Sequence, residues 1–367
     1  MPIAELAQQT VLDQPSRIAL RLPLGETLGA LHPAGCFPLV EDPRAGERAL
    51  IFGMMVLRPA DAAWNPVSPA SDFAGAVSTV RDWCFDVDGI GGSWPISAGN
   101  TLDAYRLALQ YGTVDAVMAG AVTVAREGLL KGARPGHLWQ PYAPLSWPAL
   151  RPHRDVLEAA IAELRRDWQQ LGVVSARRYP AQIAITATGL MPEGSPDLLD
   201  ARIFHDRHPD GSAIEALLLT SESGAARLRE RARTKGMRID DMLIVASAPG
   251  RPDEIDVAGV PNLLRSRLDA RLVEHDGGAM SLEGFAKAGA LAQVNLTLMR
   301  GRSVRDVLAA SSRIEPAVRD EVLQSWVQRR RLFPLGDGKL PPSWRPVYAL
   351  VEDTPAAEAV VVSFDVR

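Results

Sequence analysis

Between Asp115 and Met299 short apolar runs alternate with longer amphipathic ones, and this rhythm constrains the fold more than any other feature of the chain. Asp115–Gly120, Gln182–Thr186, Ala216–Thr220, Met242–Ala246, Ala270–Val273 and Gln293–Met299 read as strands. Asp155–Leu171, Gly224–Lys235, Val260–Asp269 and Ser281–Ala288 read as helices. Parallel strands need long crossovers, usually helical, so the alternation predicts an α/β fold with a mainly parallel sheet flanked by helices. The helix at Asp155 should bury a stripe of Val156, Ala160, Leu164, Trp168 and Leu171, with Gly172 ending it.

Outside this stretch the pattern is less regular. Residues 1–70 read as an N-terminal extension, with short strands at Arg17–Leu24 and Ala49–Arg58 and a proline-bearing linker at Pro59–Pro69. The main domain is then expected over 71–367. It would open with a buried strand at Asp72–Ser78 and a helix over Asn100–Tyr111. Residues 128–154, rich in Gly, Pro and Trp, form a loop long enough to belong to a site. Residues 303–332 look like a helical insertion. Val347–Val351 and Ala359–Val366 look like a closing pair of strands around a turn at Asp353–Glu358.

Composition narrows the function. The 367 residues are 47% hydrophobic and 23% charged, with a formal net charge of -4, a globular balance without the basic face of a nucleic-acid binder. Cys36 and Cys84 are too few for a disulfide framework or a four-ligand zinc site, so no metal is expected. No apolar run of about 18 residues occurs, and Met1–Glu5 lacks the start of a signal peptide, so a cytoplasmic protein with no membrane partner is expected. The G-x-G-x-x-G, Walker and G-x-S-x-G motifs are missing. His205 and His208, beside Asp206 and Asp210, read as solvated loop residues and not metal ligands.

The segment that carries chemistry is Leu272-Val273-Glu274-His275-Asp276-Gly277-Gly278-Ala279-Met280-Ser281-Leu282. It reads as a strand end, two acidic residues, twin glycines and the first turn of a helix. Without Cβ atoms Gly277 and Gly278 let main chain approach a ligand, and the helix start offers free N–H groups to a phosphate. The other reading is a tight strand-to-helix turn and nothing more.

The order of segments resembles the reductase domain of riboflavin-biosynthesis pyrimidine reductases, from about residue 70 onward. Asp115-Ala116-Val117-Met118-Ala119-Gly120-Ala121-Val122-Thr123-Val124 is similar to the family's D-A-V-L-V-G-x-x-T-V. Asp276-Gly277-Gly278-Ala279 is similar to E-G-G-P, and Ala288–Val294 stands in the place of A-G-L-V-D-E-L. The resemblance implies a dihydrofolate-reductase-like fold, NADPH as cofactor, a small-molecule substrate and a homodimer. It places Gly120, Thr123, Glu127, Gly277, Gly278, Ala279 and Met280 at the dinucleotide. Thr186 and Thr188 fall on the expected cofactor side, and the position of Ser221 and Ser223, between strand and helix, suits the 2′-phosphate. Ser93, Ser97 and Arg134 fall at the substrate. Asp276 matches the acidic residue near the substrate, with Glu274 its competitor for that place, and Asp276, Glu127 or an ordered water are the candidate proton donors.

The chain also departs from the family. Ser78 is followed by Thr79-Val80-Arg81 where the family has S-L-D-G, and Tyr111 falls near the place of a phosphate-pairing arginine. A bidentate arginine contact is not replaced by a tyrosine. Three readings therefore stand: an NADPH-dependent reductase of a small heterocyclic or sugar-like substrate, a catalytically degenerate member that binds a nucleotide or a partner protein, and an unrelated α/β binding protein or transferase whose glycine pair holds another phosphate ligand.

Overall fold

The apolar runs pair into one large sheet. The computed structural model describes residues 16–18, 47–59, 73–76, 101–126, 138, 140–142, 145, 150–276, 279–299, 344–352 and 359–366. The sheet strands are β1 (Ser16–Ile18), β2 (Leu50–Pro59), β3 (Phe73–Ala76), β4 (Ala116–Gly120), β5 (Ala181–Thr186), β6 (Ala216–Thr220) and β7 (Leu243–Val245). After a separate hairpin, β8 (Ser247–Ala248) and β9 (Arg251–Ile255), come β10 (Leu272–His275), β11 (Leu291–Met299), β12 (Arg345–Glu352) and β13 (Ala359–Asp365). Their spatial order is β1-β12-β13-β11-β2-β10-β4-β5-β6-β7, with β3 antiparallel on β2 off this path. From β11 through β7 every neighbouring pair is parallel. The predicted closing strands, β12 and β13, pair antiparallel and extend the sheet beyond β11.

Among the described residues six helices cover the sheet: α1 (Thr101–Thr113), α2 (Ala121–Arg126), α3 (Arg154–Gln170), α4 (Glu222–Thr234), α5 (Val260–Leu268) and α6 (Ala279–Lys287). Strand residues alternate between two cores, as the period of a strand requires. Leu50, Phe52, Val117 and Ala119 face α1 to α4, while Ile51, Ala116, Met118 and Val273 face α5 and α6. Helix α6 lies very close to β2. A Cβ on Gly53 would stand 2.1 Å from Leu282 Cδ1, so any larger residue there would have to displace the Leu282 side chain.

A polar lock holds the amino edge of the sheet. Asp115 is fully buried just before β4. Its Oδ1 accepts from Ser175 N (2.7 Å) and Ser175 Oγ (2.6 Å), and its Oδ2 accepts from Arg271 N (2.7 Å) and Leu272 N (3.1 Å). One carboxylate thus joins the starts of β4 and β10 to the loop after α3. Arg165, 4% exposed, donates to the carbonyls of Gly112, Val114 and Arg177. It satisfies carbonyls at and beyond the C-terminal end of α1, which a helix end otherwise leaves open. Burial pulls the Arg165 guanidinium down to about 10, against the nearby Asp115 carboxylate that favours its charge.

Several expectations need correction. Residues 50–59 are not part of an extension: β2 lies within the parallel block, between β11 and β10. The strand itself was expected over Ala49–Arg58, but its place between two parallel neighbours has no local sequence signal. The expected strand at Asp72–Ser78 is seen as β3, paired antiparallel with β2. Helix α3 buries Leu157, Ile161, Arg165 and Trp168, whereas Val156 and Leu171 are 56% and 76% exposed. The stripe is displaced because Arg165, polar by type, is drawn inside by the carbonyls it serves. His208 is buried, not solvated: its ring stacks on Tyr179 at 4.0 Å, and Nδ1 lies 3.3 Å from the Tyr142 hydroxyl. His205 is exposed but its Nε2 is 2.8 Å from the Leu199 carbonyl oxygen. No metal-binding group of His, Cys, Asp and Glu exists among the described residues. The β8–β9 hairpin had no sequence counterpart, and the 303–332 insertion lies outside the described residues.

Candidate functional site

The connections leaving the parallel strands define where a ligand can enter. After β4 the chain turns into α2, which packs in the core shared with α1, α3 and α4. After the neighbouring β10 it turns into α6, which packs in the opposite core. Strands β4 and β10 are adjacent and parallel, yet their crossovers part to opposite faces. A crevice opens at the carboxyl ends of such a pair, the general place for ligands in open α/β sheets.

Three of the residues singled out by sequence, Gly120, Thr123 and Asp276, lie at or just beyond these strand ends. Gly120 ends β4, and a Cβ placed on it would meet nothing nearer than Thr123 Oγ1 at 4.0 Å. Thr123 lies in α2, nearly fully buried. Across the crevice, Asp276 follows β10 and continues its ladder, its N–H donating to the Met118 carbonyl at 2.8 Å. Ala279 and Met280 open α6. Gly277, Gly278, Glu127, Ser93, Ser97 and Arg134 lie outside the described residues.

Asp276 is held by a residue whose role sequence reasoning missed. The Tyr111 hydroxyl of α1 donates to Asp276 Oδ2 at 2.8 Å. Tyr111 stands where the resemblance places an arginine, and here it orients a carboxylate. A half-buried, oriented carboxylate is the type of group that can hold a cationic or N–H group or pass a proton.

Beneath Asp276 lies a second carboxyl. Glu274 of β10 is fully buried, and neither of its oxygens has a hydrogen-bond partner among the described residues. Burial, reinforced by the Asp276 carboxylate, holds its carboxyl well above the usual range; Arg106 of α1 acts the other way. Arg106 is itself fully buried. The available signal was a charged residue inside each of two apolar runs, Glu274 in the strand and Arg106 in the helix. His275, on the opposite side of β10, is fully buried against Phe285, with Nε2 2.8 Å from Ser281 Oγ. Desolvation lowers it to about 4, so it stays neutral near pH 7. It ties β10 to the first turn of α6.

The carboxyl ends of β5 and β6 are committed to the fold. Ser221 is fully buried; its hydroxyl donates to the Ala187 carbonyl (2.6 Å) and accepts from Gly224 N (3.0 Å) as the N-cap of α4. Glu222 N is bonded to Ser247 Oγ at 2.7 Å. The 2′-phosphate contact expected of Ser221 is therefore not open to its hydroxyl. Thr186 Oγ1 accepts from Gly189 N at 3.0 Å and Thr188 Oγ1 from Leu190 N at 3.2 Å, both shaping the loop after β5. A Cβ on Gly224 would stand 2.5 Å from the Ala187 carbonyl oxygen, so this loop and α4 touch main chain to main chain. Replacing Ser221 with Ala should cost about 1–2 kcal/mol in a chemical unfolding curve. The same substitution should leave dinucleotide affinity within twofold; a large affinity loss with intact stability would return Ser221 to the ligand.

No protein-family model and no curated protein sequence matches the chain. Among solved structures it is similar to a pyrimidine reductase-like protein from Corynebacterium diphtheriae, with a TM-score of 0.43 at 12% identity, over 88% of this chain and 94% of that one. The riboflavin biosynthesis reductase Rib7 of Saccharomyces cerevisiae gives a TM-score of 0.38 at 9% identity, over 88% and 94%. RibD of Acinetobacter baumannii gives 0.36 at 9% identity, over 87% of this chain but 58% of that one, so the chain spans less than two thirds of RibD. No helix among the described residues is long and apolar enough to cross a membrane.

Proposed function

We propose that this chain is a reductase that moves hydride from NADPH to the C=O or C=N carbon of a small heterocyclic or sugar-like substrate. The observation that carries this reading is the crevice between β4 and β10, where two adjacent parallel strands send their crossovers to opposite faces. Gly120 leaves its wall free of side chain on one side. On the other, the sequence puts Gly277 and Gly278 at the start of α6, so both walls suit the close approach of a pyrophosphate.

NADPH would supply the hydride, and the protein's part is alignment, exclusion of water and proton management. Thr123 and the main chain at Gly120 would hold the dinucleotide. Asp276, fixed by Tyr111, is the group at the mouth able to hold or give a proton.

Titration with NADPH, followed by nucleotide fluorescence, tests the reading. Wild-type protein should bind, and Gly278→Val, whose side chain would stand between main chain and pyrophosphate, should bind at least tenfold more weakly with an unchanged melting curve. Equal affinity in the two proteins, or no binding to wild type at millimolar NADPH, rejects it.

A further inference from the structure

Two carboxyls stand one above the other on the same side of β10, and the reading above uses only the outer one. Residues two apart along a strand face the same way and lie roughly 7 Å apart. Helix α1 confirms the shared direction: its Tyr111 bonds Asp276, and its Arg106 interacts electrostatically with Glu274. Asp276 is partly exposed at the crevice, whereas Glu274 is sealed below it. In the sheet Glu274 is in register with Phe52 of β2 and Val117 of β4, both apolar. The polar groups of α1 on this side are Tyr105, Arg106, Gln110 and Tyr111, and in the same row one strand further lies Gln293 of β11.

A buried carboxylate without hydrogen bonds is costly, and a second carboxylate two residues along the same side adds to the cost, so such a pair ionises in two separated steps. We propose that Glu274 is a positioning residue that stores a proton beneath the cleft for Asp276, the two carboxyls holding one proton between them. This rests on the reductase reading for its purpose, though not for its measurement. The acceptor of a hydride needs one proton to complete its reduction. The Glu274 O–H proton passes to the Asp276 carboxylate, and Asp276 hands that same proton to the acceptor, which leaves both carboxyls ionised. Glu274 is then briefly an anion opposite Arg106. A proton from solvent, entering at the exposed Asp276, restores the pair. No bond other than O–H and the new bond to the acceptor changes.

Infrared spectra of the ligand-free full chain decide the matter. An undissociated carboxylic-acid band should be present at pH 7, absent in Glu274→Gln and retained in Asp276→Asn. On raising the pH the band should disappear at a lower pH in Asp276→Asn than in wild type, because the neighbouring negative charge is gone. A purely structural Glu274 would not move with Asp276. Absence of the band at pH 7 overturns the proposal, since Glu274 would then be an anion paired with Arg106. A band that Asp276→Asn abolishes, or a midpoint that it leaves unchanged, overturns it as well. Should Glu274→Gln fail to fold, wild type labelled with 13C at glutamate carboxyls assigns the band by its isotope shift. NADPH titration of the same samples separates the two readings. Binding without the band removes the proton store alone, and the band without binding removes the reductase alone.

Discussion

Asp115→Ala is expected to lose about 4 kcal/mol of folding stability, although the residue lies at the edge of the sheet opposite the crevice. Its carboxylate accepts all four hydrogen bonds that tie Ser175, Arg271 and Leu272 to the start of β4. Three of those donors are main-chain or side-chain groups of buried residues. Each donor left without a partner costs roughly 1–3 kcal/mol, and the costs overlap because water reaches part of the gap. Arg165 would suffer too, since the Asp115 charge favours its buried guanidinium. Asp115→Asn should lose less, because one oxygen survives while the amide points donors at donors. Urea unfolding of the three proteins measures this, and a loss under 1 kcal/mol for alanine would show that the lock is not what aligns β4 with β10. The lock also gives the first residue of the Asp115–Gly120 run a structural role. It sets the register of the two strands whose far ends make the crevice.

The strand and helix order from Asp115 to Met299 was legible because each element carries its own periodicity. Strands β4, β5, β6 and β11 fall within a residue or two of their predicted bounds, and so do α4, α5 and α6. What periodicity cannot express is which strand lies beside which. Leu50–Pro59 has the same apolar character as an edge strand of an extension; only its pairing with β10 and β11 makes it central. The site divides along the same line. Gly120, Thr123 and Asp276 were legible because a motif ties each to a strand end, and the sheet then brings those ends together. Ser221 was placed by the same logic, but its hydroxyl meets the Ala187 carbonyl, a partner far away in sequence. Tyr111, Arg106 and Glu274 depend on α1 crossing β10, a tertiary fact with no local signature beyond charge in an apolar run.

The acid stability of this fold should be flatter than either of two neighbouring residues would make it alone, and two substitutions should expose why. His275 is lowered from 6.5 to about 4 in the folded chain. Below pH 6.5 the unfolded chain takes up a proton that the folded one refuses, so this residue makes stability fall as the pH drops, by roughly 3 kcal/mol once pH 4 is reached. Glu274 is raised well above 4.5. Above pH 4.5 the unfolded chain gives up a proton that the folded one keeps, so this residue makes stability fall as the pH rises. Where the windows overlap, between pH 4.5 and 6.5, each contributes up to about 1.4 kcal/mol per pH unit with opposite sign. Glu274→Gln should therefore unmask a stability that climbs steadily from pH 4.5 to 6.5, and His275→Gln one that declines across the same interval. The quantity to compare is the difference of each variant from wild type, measured by urea unfolding at half-unit pH steps, because the titrations common to all three proteins then cancel. Parallel curves for wild type and both variants would mean that neither buried group changes protonation on unfolding. The sign of each slope is fixed by burial alone: an imidazole and a carboxyl on opposite sides of one four-residue strand are both driven to their neutral forms, one by losing a proton and the other by keeping it.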